Sequence, residues 1–196
     1  MTVRLENRVG PEIRPNIKDL AHLRIEVFRS FPYLYDGDMA YEVRYLDTYS
    51  QSPRSLFVLA LDGDRVVGAA TGIPMADETD AFKKPFMEQG YDPEKIFYFG
   101  ESVLLPEYRG QGIGVAFFDR REAYARALGG FSHCCFCAVE RPADHPMRPA
   151  DYQPLDEFWH KRGYRKEPEL STEYHWKDVG NSEETAKPMT FWLKPL

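Results

Sequence analysis

The chain has 196 residues, 43% hydrophobic and 29% charged, with 31 acidic against 25 basic side chains and a net charge of −6. That is length enough for one domain, spanning 1–196, with a sizeable core and the composition of a soluble globular protein. The acidic balance gives no electrostatic footprint for nucleic acid and no polybasic membrane patch, so neither is expected as a partner.

The opening residues MTVRLENRVG carry charges where a secretory leader needs an apolar run, and no stretch approaches membrane-spanning length. Next, VGPEIRPNI is predicted as a short first strand ending near Arg14-Pro15. NIKDLAHLRIEVFRSF carries Ile17, Leu20, Leu23, Val27, Phe28 and Phe31 at the spacing of an amphipathic helix. The aromatic, turn-rich FPYLYDGD leads to a second helix, roughly Asp38 to Tyr49, with Asp38 as N-cap and Ser52-Pro53 as its stop.

SLFVLALDGDRVVGAATGIP gives a hairpin signal around Asp62-Gly63-Asp64. Residues 75–95 lose the alternation and are either a small helical insertion or a loop, with the charge run DETD at 77–80 expected to be solvated. A strand over Phe97 to Leu105 precedes a glycine-rich loop and a helix from Val115 to Leu128, which Gly129-Gly130 ends. FSHCCFCAV is another strand. Its cysteines Cys134, Cys135 and Cys137 are too few and too crowded for a disulfide framework, and zinc sites need separated pairs. They are read as buried core residues, with Cys134 on one face and Cys135 and Cys137 on the other. No metal is expected, and the compartment is expected to be reducing, hence cytoplasmic. The proline-studded ERPADHPMRPADYQP is stiff because each proline fixes φ. LDEFWHKRGY is a short helix closed by Gly163, and strands near Leu170 to Asp178 and Met189 to Leu193 finish the chain. The order β-α-α-β-β-β-α-β-α-β-β indicates a mixed α/β fold with helices on both faces of the sheet.

Three glycines, Gly110, Gly112 and Gly114, stand directly ahead of the Val115 helix. A helix N-terminus presents unpaired amide hydrogens and a partial positive charge, and glycines let the backbone curl around an anion. Pyrophosphate is the usual guest. The GKS or GKT of a P-loop is absent, and a GxGxxG frame from Gly110 places Val115 at its last glycine, so both nucleotide fingerprints weaken.

Arg109, Gly112 and Gly114 do fit Arg-x-x-Gly-x-Gly. In its context LLPEYRGQGIG, between a strand and a helix, this closely resembles the pyrophosphate-binding motif of the GNAT superfamily of acyl-CoA-dependent N-acetyltransferases. The element order over about 150 residues and the late FWHKRGY are similar to that superfamily too. The resemblance implies a mixed, mostly antiparallel sheet of about seven strands flanked by helices on both faces. It implies acetyl-CoA as co-substrate, its pyrophosphate on the amides of Arg109, Gly110, Gln111, Gly112, Ile113 and Gly114. The pantetheine arm would pair along Val103, Leu104 and Leu105, with an amide near Val103 or Leu104 polarising the thioester carbonyl.

The family's chemistry is direct attack by an amine, which needs a base to take a proton. Glu101 is the first candidate, its alternative being an exposed strand residue or a structural ion pair; Tyr98 is the second. The usual acid, a tyrosine four residues before the late glycine, is Trp159 here. Tyr152, His160 and Tyr164 are the nearby substitutes, Tyr152 ranked first. For the acceptor, Tyr33, Tyr35, Asp36 and Asp38 offer aromatic walls and carboxylates suited to an amine, though turns and caps use aspartate structurally. Arg141, His145 and Arg148 could clamp a carboxylate. The function expected is N-acetylation of a small or amino-acid-like amine. The alternative is a non-catalytic acyl-CoA-binding module, which Trp159 favours. A homodimer is compatible with the resemblance.

Overall fold

The structure, a computed structural model, describes residues 3–196. An eight-stranded sheet runs in the order β1-β2-β3-β4-β6-β8-β7, with β5 paired to β3 beside β4. Here β1 is Arg4–Val9, β2 Leu56–Asp62, β3 Arg65–Pro74, β4 Ile96–Tyr98, β5 Ser102–Leu104, β6 His133–Val139, β7 Arg165–Lys177 and β8 Glu184–Pro195. The helices are α1 Ile17–Phe28, α2 Met39–Gln51, α3 Asp80–Glu88, α4 Ile113–Leu128 and α5 Asp156–Lys161. All pairings are antiparallel except β4 with β6.

The first strand ends earlier than VGPEIRPNI suggests. Residues 10–16 form a 3-10 segment, because Pro11 and Pro15 supply no N–H to a ladder. Its entry is fixed where the Val9 amide donates to Glu12 Oε2 at 2.9 Å. The second helix is as expected, with Asp38 Oδ1 accepting from the Tyr41 amide at 2.8 Å. The late strands are longer than their apolar centres. Pro168 lies inside β7, where the register with β8 shifts between Glu167 and Ser171, as a proline in an edge strand requires.

Residues 75–95 are the helical insertion, centred on α3. Within DETD, Asp77, Thr79 and Asp80 are exposed as expected, but Glu78 is buried, taking the Tyr49 hydroxyl and, at 3.0 Å, the Thr79 amide. Burial raises its carboxyl above the usual range, against the lowering effect of those two bonds. Phe86 anchors α3 against Phe191 of β8, ring centroids 4.8 Å apart.

Strand alternation sorts β6 between two cores. Cys135 joins the larger one, which gathers Leu20, Leu46 and the β2 and β3 residues, and Cys137 packs on its edge. Cys134 and Phe136 join Phe97, Phe99, Phe118, Tyr164 and Trp192 on the other side. Among the described residues, no helix is long and apolar enough to cross a membrane.

Candidate active site

The stretch read as one strand over Phe97 to Leu105 is broken, and the break makes the site. β4 pairs with both β3 and β6, whereas β5 pairs with β3 alone. Between them the chain bends at Gly100, where a Cβ would meet Tyr49 Oη at 2.6 Å and Thr71 Oγ1 at 2.7 Å, both closer than real Cβ contacts. No side chain fits there. The Thr71 amide donates to Glu101 O at 3.0 Å and the Leu105 amide to Val67 O at 3.0 Å. Antiparallel alternation therefore commits the backbone of Glu101, Val103 and Leu105 to β3 and turns that of Ser102 and Leu104 toward the gap left by β6. Val103 and Leu105 are buried.

This gap opens into one cleft of about 1520 Å³. At one end stands the glycine loop. Gly110 and Gly112 take φ of +75° and +81°, conformations L side chains rarely adopt, and Gly112 is the N-cap of α4. The first turn of α4 has no acidic residue, so its amides and macrodipole face the cleft uncompensated. Arg109 and Gln111 brace the loop, Nε donating to Leu104 O at 3.3 Å and Nε2 to Glu107 O at 3.3 Å. Arg109, Gly110, Gly112, Gly114 and Leu104 line the cleft; Gln111 and Ile113 shape the loop from behind.

The other end is an aromatic chamber with a charged floor. Arg24 of α1 lies between two carboxylates, its Nε on Glu42 and its Nη1 2.7 Å from Glu101 Oε2. The guanidinium is one-tenth exposed and the two carboxylates 0% and 3%, so one cation faces two anions away from water. Its own charge is reinforced by those partners against the cost of burial. Glu42 Oε1 is buried without a hydrogen-bond partner. Around this floor stand Phe28, Tyr33, Tyr35, Tyr45, Phe82, Tyr98, Tyr174 and Trp176. Burial raises the phenols of Tyr33, Tyr35, Tyr45 and Tyr98, with the Glu42 charge adding to Tyr35 and the Glu101 charge to Tyr45, so all are neutral donors at physiological pH. Tyr98 Oη lies 3.2 Å from Cys137 Sγ.

Sequence reasoning missed Glu42, Arg24 and Tyr45. The i, i+3 spacing of Glu42 and Tyr45 on the second helix was the available signal, but an acid within a helix ordinarily faces solvent.

The acidic residues expected at the acceptor end, Asp36 and Asp38, line the cleft and already have partners within the protein. Asp38 caps α2, and Asp36 is held by Lys177 at 2.8 Å and Arg29 at 3.2 Å. Tyr33 uses its carbonyl to take Arg141 Nη2 and Trp176 Nε1. Arg141 is spent on Asp178, through Nη1 at 3.0 Å and Nη2 at 2.8 Å, and on the Pro32 carbonyl. Arg148 lies over the rings of Tyr152 and Phe31, 4.8 and 5.9 Å from their centroids, rather than lining the cleft. His145 packs on Phe31 as well. Of the three basic residues, Arg141 is thus committed to partners within the protein.

Trp159 lines the cleft and packs on Phe136 and Trp192, with centroids 5.0 and 4.9 Å away. Of the residues considered in its place, Tyr164 is fully buried with its hydroxyl given to Glu122 at 3.0 Å. His160 packs against Trp192. Tyr152 lines the cleft beside Phe31.

Comparisons with known proteins bear on this arrangement. A model of the Acetyltransferase (GNAT) family matches residues 20–150. Among solved structures, a phosphinothricin acetyltransferase of the GNAT superfamily from Sinorhizobium meliloti, in complex with AcCoA, superposes with a TM-score of 0.61 at 17% identity, covering 100% of this chain and 89% of that one. Arabidopsis thaliana NAA60 with a bisubstrate analogue gives 0.62 at 10% identity, covering 100% and 99%. The acetyltransferase yncA of Salmonella typhimurium, with acetyl-CoA, gives 0.60 at 11%, covering 98% and 94%. No curated protein matches the sequence.

Proposed function

The chain belongs to the Acetyltransferase (GNAT) family, and we propose that it transfers the acetyl group of acetyl-CoA to the amine of a small or amino-acid-like acceptor. One observation carries this reading: the gap beside β5 joins an anion-receiving helix terminus and a buried carboxylate chamber within a single cleft. The amides of the 109–114 loop hold the pyrophosphate. The backbone of Ser102 and Leu104 receives the pantetheine arm as an added strand, and the Leu104 amide polarises the thioester carbonyl.

An ammonium group entering the aromatic chamber meets the net negative floor of Arg24, Glu42 and Glu101, which supports an acceptor with an amine beside an apolar or aromatic body. Glu101, on the chamber floor beside Arg24, takes the proton that attack releases, directly or through water. Tyr98 and Tyr35 orient the amine as neutral hydrogen-bond donors and acceptors. Tyr152, edge-on to the Phe31 ring, lines the same cleft. A non-catalytic acyl-CoA-binding module is the second reading, favoured by the indole of Trp159 where the family's acid is expected.

Thermal melting with acetyl-CoA, CoA, NAD and ATP tests the coenzyme. A ligand at a hundred times its Kd stabilises by about 2.7 kcal/mol, roughly 5 to 10 °C for a domain of this size. A shift with the CoA compounds alone supports the reading, and none at all removes it. Thiol release across an amine panel then separates enzyme from binding module.

A further inference from the structure

Arg121, on α4, is 1% exposed, and burial draws its guanidinium down to about 10, so it remains a cation at neutral pH. Yet among the described residues it has no carboxylate partner. Nε donates to Phe117 O at 3.2 Å, Nη1 to Thr71 O at 3.2 Å and Glu101 O at 3.0 Å, and Nη2 to Ser102 Oγ at 2.8 Å. The rings of Phe99 and Phe118 stand 4.1 and 4.9 Å from its central carbon. The acids near it are already engaged. The Glu101 carboxylate is paired with Arg24, and Glu122 with Lys194 at 2.7 Å and the Tyr164 hydroxyl at 3.0 Å. The Cys134 thiol and the Tyr164 phenol are pushed up by burial and stay protonated. A buried charge left in this state is costly unless something compensates it.

Arg121 lies at the wall of the cleft but is almost wholly covered, and its Ser102 partner is exposed and lines the cleft beside it. A guanidinium only donates, so Ser102 Oγ is the acceptor of that bond and its own hydrogen points elsewhere. Among the described residues, nothing takes that hydrogen. Ser102 is also the first residue of β5, where the strand has parted from β6.

We propose that the Ser102 hydroxyl, polarised by Arg121, receives the coenzyme's sulfur as a thiolate, so that acyl transfer in this protein proceeds without a general acid. This rests on the acetyl-CoA reading above. The acceptor nitrogen bonds to the acyl carbon, and the carbon–sulfur bond breaks with its electron pair staying on sulfur. The nitrogen's surplus proton leaves to Glu101 or water. Ser102 keeps its proton and donates a hydrogen bond only, and the thiolate takes a proton from water after release. An ordinary thiol ionises near pH 8.5, so a charge-assisted hydrogen bond is enough to hold it as the anion. Arg121 is a positioning residue, and the indole of Trp159 has no proton to supply.

The test is calorimetric binding of free CoA and of desulfo-CoA, which lacks the sulfur, from pH 6.5 to 9.5. Their affinity ratio isolates the thiol from every other titrating group. In the native protein the ratio rises about tenfold with pH, because a bound thiol about one unit more acidic than the free one favours binding as it ionises. Ser102→Ala holds the ratio within twofold across the range, and Ser102→Thr restores the rise. A flat ratio in the native protein, or an equal rise in Ser102→Ala, overturns the proposal while leaving the coenzyme reading intact. Failure of both compounds to bind the native protein overturns both.

Discussion

Replacing Arg24 by methionine tests the charged floor directly. The substitution roughly keeps the side chain's length and removes its charge, turning a floor of one cation and two anions into two facing carboxylates. Both acids are shielded from water, at 0% and 3% exposure, and one contact is 2.7 Å. Removing one partner of such a buried pair costs about 3–5 kcal/mol, because the charge left behind is neither hydrated nor paired. At about 2–4 °C per kcal/mol for a chain of this length, the melting temperature falls by roughly 6 to 20 °C. Calorimetry at pH 7.5 reads this, with a triple variant carrying Glu42→Gln and Glu101→Gln as well. Neutralising the acids recovers most of the loss if uncompensated charge is the cause. An Arg24→Met protein melting within 2 °C of the native one, or a triple variant no more stable than the single, would refute the reasoning.

Gly112→Ala forces an L side chain to φ +81° at the start of α4, with open space around the new Cβ. It costs about 1–2 kcal/mol and reduces the melting shift given by CoA, both measured in one thermal titration. Glu78 has a raised folded-state carboxyl pKa, so its contribution to stability is full below the ordinary carboxylate value and is lost as pH rises through the folded one. Glu78→Gln should therefore flatten the decline in urea midpoint between pH 4.5 and 7.5, and an unchanged slope would exclude this group as its source. Trp159→Phe removes packing on Phe136 and Trp192 and lowers stability by about 1–2 kcal/mol. The rate of thiol release should stay within threefold, and a hundredfold loss would make the indole part of the chemistry.

The glycine loop was legible because its signal is local. Three glycines before a helix report a backbone conformation, and the positive φ at Gly110 and Gly112 is that conformation. The break between β4 and β5 was not, since Phe97 to Leu105 keeps the composition of one strand. The bend at Gly100 depends on Tyr49 and Thr71, 51 and 29 positions away by residue number, approaching from other elements. At the acceptor end the partners of the acids were not legible, for the same reason. Asp36 and Asp38 stand in a turn and suggest a polar site, but their partners Lys177 and Arg29 and the Tyr41 amide are set by tertiary packing and capping. Glu42, by contrast, looks like any helical acid until α1 brings Arg24 against it.

The HCCFC strand has a practical corollary. Burial pushes Cys134 and Cys137 up to about 12 and raises Cys135 well above the ordinary thiol value. At pH 8 these thiols stay protonated, whereas the thiolate is the form that attacks disulfide reagents. A chromogenic thiol reagent added to the folded protein thus counts coenzyme released by turnover, with negligible background from the protein's own sulfur. The same reagent in denaturant counts three cysteines per chain.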